Sequence, residues 1–108
     1  MGMVMITLAI DFDGVIHDDK NPVKGRKMGP PLPDAKMVIT HLKDAGCTII
    51  IHTVRGGYPQ HVEEWLQYYD IPYDRVTNIK EPADFYIDDK AIRFTNWMDT
   101  IAQLKRFL

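Results

Sequence analysis

Cysteine is almost missing from this chain: Cys47 is the only one in 108 residues. That excludes a disulfide framework and makes a reducing, cytoplasmic setting the expectation. Long apolar runs are missing too, and none approaches the roughly 18–20 residues that cross a bilayer. The early apolar stretch has no basic flank, so no secretory leader is expected. Gly2 follows Met1, but Ile6 stands where N-myristoylation requires Ser or Thr, which argues against lipidation. Charge of one sign is also scarce. Thirteen Lys and Arg against fifteen Asp and Glu give a net charge of −2, without the basic excess of a nucleic-acid binder. Nucleic acid therefore stays open only as a substrate met at a local site. No internal repeat, low-complexity tract or linker divides the chain, so 1–108 reads as one domain with one core.

What is present alternates. Val4 to Ile10 is a short apolar, β-branched run that reads as a buried strand. Residues 17–33, dense in Pro, Gly and charge, read as a loop or flap. A helix is predicted from Pro33 to Ala45, with Ala35, Val38, Ile39 and Leu42 on one face, Pro33 in the first turn and Gly46 as the stop. Cys47 to Thr53 is a second strand, in which Cys47 reads as a small buried hydrophobe. Val62, Trp65, Leu66 and Tyr69 repeat the helical spacing, a short third strand follows, and Ala83 to Ile87 is a fourth strand ending in Asp88-Asp89. A last helix starts near Asn96, with Asn96 and Asp99 as a capping pair and Trp97, Ile101, Leu104 and Leu108 as its inward face. This order predicts an α/β fold: a three-layer, Rossmann-like parallel sheet with helices on both faces and right-handed crossovers.

In such sheets the site lies beyond the carboxyl ends of the strands. Asp11 and Asp13 follow the first strand, Thr53 the second, Lys80 precedes the fourth, and Asp88 and Asp89 end it. Four carboxylates gathered there are not stable as bare charges, and a hard divalent cation such as Mg²⁺ resolves the conflict. A phosphoryl group would then be held by the metal, Lys80 and the Thr53 hydroxyl, a set suited to phosphoryl transfer. One Asp can attack phosphorus. The other, its pKa raised by its neighbour, can act as acid and then base.

These residues also carry a resemblance. "DFDGV", "TIIIHT", "NIKEPAD" and "FYIDD" resemble, in order, the four motifs of the haloacid dehalogenase-like superfamily, and with the intervening pattern they span nearly the whole chain. The segments around "HTVRGG", "EEWLQYYDIPYD" and "ADFYIDDKAIRF" are similar to small bacterial and phage phosphatase-like members. The resemblance implies Asp11 as nucleophile and Mg²⁺ ligand, and Asp13 as acid/base that gives the metal its backbone carbonyl. It also implies Thr53 on the phosphoryl, Lys80 as the neutralising cation, and Asp88 or Asp89 completing the metal site. Strand alternation leads one to expect that only one of that pair ligates directly. Gly14, Val54 and Arg55 adjoin these motifs as candidate substrate contacts, and Gly14 lets the chain turn sharply after the pair. Neither gap that could hold a cap domain is long enough, so the site should be open.

Other residues read more plainly. Gly56, Gly57 and Tyr58 either line the entrance or form a surface turn, and Lys24, Arg26 and Lys27 read as a solvated loop that could meet an anionic substrate. Lys80 has the rival role of pairing with Glu81. His17 is not expected to act, His52 is expected to point away from Thr53 into the sheet packing, and Trp65 and Trp97 read as core. The implied function is a phosphomonoester hydrolase of unidentified phosphorylated substrate. The alternatives are a silent binding protein of the same fold and a receiver-like phospho-accepting domain, whose motif order differs. Trp97, Met98 and Phe107 near the tail would serve association of copies into a homo-oligomer.

Overall fold

Each apolar run found in the sequence becomes a strand of one sheet. The structure, a computed structural model, describes residues 5–26, 28–55 and 59–108. Val4, Lys27, Gly56, Gly57 and Tyr58, each given a role above, lie outside the described residues. The elements run β1 (Thr7–Asp11), α1 (Ala35–Asp44), β2 (Thr48–His52), α2 (Pro59–Tyr68), β3 (Arg75–Thr77), β4 (Phe85–Ile87) and α3 (Trp97–Lys105). All pairings are parallel, in the order β3-β2-β1-β4. The α/β, Rossmann-like class expected from the sequence is what the chain adopts, with no cap evident among the described residues.

Strand alternation decides what the sheet buries. Leu8, Ile10 and Phe12 share a face with Ile49 and Ile51, and Ile39 of α1 and Val62, Trp65 and Leu66 of α2 complete that core. Cys47 is buried within it, as expected. Chain direction explains why α1 and α2 lie together. Moving from β1 through β2 to β3 runs one way, so right-handed crossovers place both helices on one face. The return to β4 reverses direction and crosses the other face. That return is residues 78–84, a loop held by Glu81, which pairs with Arg75 at 2.7 Å and accepts from the Tyr86 hydroxyl through its carbonyl. Ala9 and Ile50, on this second face, are buried.

The closing helix departs from expectation. Asn96 caps α3 as predicted, its side-chain oxygen accepting from the Asp99 amide at 2.8 Å. Yet Trp97 is 76% and Leu108 89% exposed, and no residue of α3 is buried. Among the described residues the stripe expected to face inward meets no other helix or strand, only the Phe94 ring, 5.2 Å from that of Trp97, because residues 88–96 lead α3 clear of the sheet. Periodicity identifies an apolar face without saying what it touches. Among the described residues, no helix is long and apolar enough to cross a membrane.

Candidate active site

The site begins where β1 and β4 end side by side. Ile10 is in register with Ile87, so the residues that follow, Asp11 on one strand and Asp88 and Asp89 on the other, emerge at the same edge. Carboxylate oxygens of Asp11, Asp88 and Asp89 lie within 4.8 Å of one another. The sequence reading required that both ends of the chain meet here, and they do. Asp88 and Asp89 both bring a carboxylate oxygen to the cluster. β4 ends at Ile87, so neither Asp is held to strand alternation. The Asp11 pKa is raised, first by burial and then by the Asp88 and Asp89 charges, while His52 pulls the other way.

Asp13 goes elsewhere. The Phe12 carbonyl accepts from the amides of Ile16 and His17, and this turn brings His17 back against Asp13. His17 is buried, stacked on Phe12 and edge-on to Trp65. Its Nε2 accepts from the Gly29 amide at 2.8 Å, so its proton sits on Nδ1, which donates to Asp13 Oδ1 at 2.7 Å. Arg55 binds both oxygens of the same carboxylate, with Nε at 3.0 Å from Oδ2 and Nη2 at 2.9 Å from Oδ1. Burial alone would raise the Asp13 pKa, but the hydrogen bonds from Arg55 and His17 outweigh it and lower it. This reverses the expected division between the pair: the raised carboxyl is Asp11, and Asp13 is held as an anion.

Gly14 sits between these groups. Its φ is +81°, and a Cβ there would come within 2.5 Å of Asp89 Oδ2, so Gly14 serves both the turn and the approach of β4's acidic end. Thr53 is buried, and its hydroxyl accepts from the Arg55 amide at 3.0 Å, linking the ends of β1 and β2 through Arg55. Lys80 lines one cavity with Asp11, His52 and Asp88, its Nζ 5.1 Å from the centre of the Tyr86 ring. The rival role for Lys80 falls away, because Glu81 is bound by Arg75.

His52 was missed. It points away from Thr53 as expected, yet it lines the cavity rather than packing into the sheet, its Nδ1 4.0 Å from Asp11 Oδ1. The signal lay in strand register: once β1 and β2 are neighbours, Asp11 pairs with His52. Val54 is largely exposed, and Arg55 is occupied by Asp13 rather than free for substrate. In the flap, Arg26 is fastened to Tyr68, donating to its hydroxyl at 2.6 Å and lying over its ring, and Lys24 is exposed.

No family model matches the chain, and no curated protein does. A solved structure, that of a conserved protein coded by a locus of Bacteroides thetaiotaomicron, is similar with a TM-score of 0.67 at 22% identity. The likeness covers 96% of this chain and 92% of that one, and at this identity it speaks to the fold alone.

Proposed function

We propose that this chain is a phosphomonoester hydrolase of the haloacid dehalogenase-like type, working on an open site through an aspartyl-phosphate. The observation that carries the reading is the meeting of Asp11, Asp88 and Asp89 beside Lys80, in the order and at the strand ends the motifs imply. The donor set is all carboxylate oxygen, the chemistry a hard cation prefers, and the Asp11 pKa is raised by burial first and then by the Asp88 and Asp89 charges. Asp11, Asp88 and Asp89 would hold Mg²⁺, which when bound supplies positive charge against the phosphoryl oxygens.

The protein's own residues carry the steps. An Asp11 oxygen attacks phosphorus, the bond from phosphorus to the ester oxygen breaks, and Asp13 donates a proton to the departing alkoxide. Water then attacks the phosphorus, losing its proton to Asp13, and the Asp11–phosphorus bond breaks to release phosphate. Lys80 neutralises charge on the moving group, and the Thr53 hydroxyl donates to it. An Asp13 held as an anion suits the second step directly. For the first, it must take up a proton, so Arg55 must let go and turn to the anionic substrate.

The Asp13–Arg55 pair is also what favours the second reading, a binding protein of this fold without turnover. Release of phosphate from p-nitrophenyl phosphate with Mg²⁺ separates the two. The hydrolase turns over repeatedly, falls to background as Asp11→Asn, and loses about 10²–10⁴-fold as Asp13→Ala. A wild-type protein without turnover across phosphorylated sugars, nucleotides and peptides sinks the proposal. Label retained on Asp11 without release would indicate a receiver-like domain.

A further inference from the structure

Among the described residues, α3 touches no other helix or strand, only the Phe94 ring beside Trp97, and an apolar groove beside α1 is left open. α1 packs on β2 and α2 on β3, which leaves the core-side face of β4 bare. Phe85 and Ile87 are in register with Leu8 and Ile10, so they point to the same face as the core, yet they are 58% and 41% exposed. Ile10, Val38, Leu42 and Ile87 line the resulting groove between α1 and β4. β4 extends the sheet one strand beyond β1, whose Leu8 and Ile10 are already covered, and with the flank of α1 it offers an edge on which a helix about 10 Å across can lie.

α3 is such a helix. Trp97, Ile101 and Leu104 recur on one side of it, all exposed. A helix of nine residues is marginal on its own in water, where isolated helices need roughly 12–15, so its apolar side requires a seat. Phe85 and Ile87 on the groove and Trp97, Ile101 and Leu104 on the helix expose between them apolar surface on the order of 600 Å². With Val38 and the rest of the groove this approaches the roughly 800 Å² per partner of a stable interface.

We propose that α3 of one copy seats in the groove between α1 and β4 of a second copy, and that the exchange is reciprocal. A foreign helix would fill the groove and leave α3 bare; a foreign groove would cover α3 and leave this one empty. A second copy of the chain does both at once, and the exchange closes with twofold symmetry. Residues 88–96 act as the arm that carries the helix across.

Sedimentation equilibrium of the full chain tests the association. The wild type is expected to be a dimer, and Trp97→Ala and Val38→Glu, both at exposed positions, each to raise the dimer Kd about thirtyfold or more with unchanged circular dichroism. A monomeric wild type, or variants that dimerise as well as it does, overturns the proposal. Cross-linking tests the exchange itself: Val38→Cys and Ile101→Cys chains, mixed and treated with a short bis-maleimide, should join into a species of twice the chain mass. A doubly substituted chain that cross-links only within itself shows α3 folded onto its own groove, and that also overturns it.

Discussion

Gly14 shows how tightly single residues are committed at this site. Its backbone angle favours glycine, and its missing side chain is the space Asp89 occupies. Gly14→Ala should therefore cost about 1–2 kcal/mol from the left-handed backbone alone. It should also push Asp89 out of the cluster, so that Mg²⁺ affinity measured by calorimetry falls while the strands still form. Unchanged affinity would mean that Asp89 is not a ligand. Gly29 is constrained differently: a Cβ there would strike the Asp18 carbonyl, and its own amide and carbonyl serve His17 and Trp65. "DFDGV" makes the role of Gly14 legible in the sequence, because a sharp turn after two carboxylates needs it. Nothing near Gly29 announces its partners, which come from positions 12 and 36 residues away.

At the scale of elements, Asp74 ties three of them together just before β3. Its carboxylate accepts from the Ile49 amide of β2 at 2.6 Å and from the Lys43 Nζ of α1 at 2.8 Å. Burial raises its pKa, but these partners outweigh that and hold it below the ordinary 3.8. A carboxyl lowered on folding stabilises the fold above its unfolded pKa and loses that contribution as pH falls through the lower, folded value. Thermal denaturation from pH 5 down to pH 2 should thus show a loss of stability below about pH 4 that Asp74→Ala flattens. At neutral pH the same variant should cost about 1–3 kcal/mol. A variant as acid-sensitive as the wild type would remove Asp74 from this role. The strands and helices were legible from period-two and period-3.6 patterns, since burial imposes those periods locally. Their partners were not: Val38 falls on the apolar face of α1 as predicted, yet it is 47% exposed because no described residue fills the groove beside it.

On the scale of the molecule, the acidic cluster opposes the fold that creates it. Asp11 has its pKa raised by burial and by Asp88 and Asp89, so it costs stability increasingly as pH rises from its unfolded pKa through its folded one. A cation bound there removes that cost. Mg²⁺ at about tenfold over its Kd should stabilise the fold by about 1.4 kcal/mol, raising Tm by roughly 5–10 °C. Asp89→Asn should raise Tm in EDTA, by easing repulsion, and remove most of the Mg²⁺ response. A chain whose Tm ignores Mg²⁺ at neutral pH would refute the metal site without any assay of activity.

Taken by itself, the amino-acid order determined the α/β class, the parallel sheet and the edge where Asp11, Asp88 and Asp89 gather, because apolar period and chain alternation leave few other topologies. Tertiary structure alone decided which carboxyl is strained and which is held. Arg55 and His17 reach Asp13 through a loop and a turn, and His52 reaches Asp11 only across a strand pair. It also decided that α3 stands apart. Hydrophobic periodicity records that a face must be covered, but covering is a contact in space, and the surface that does it need not belong to the same chain.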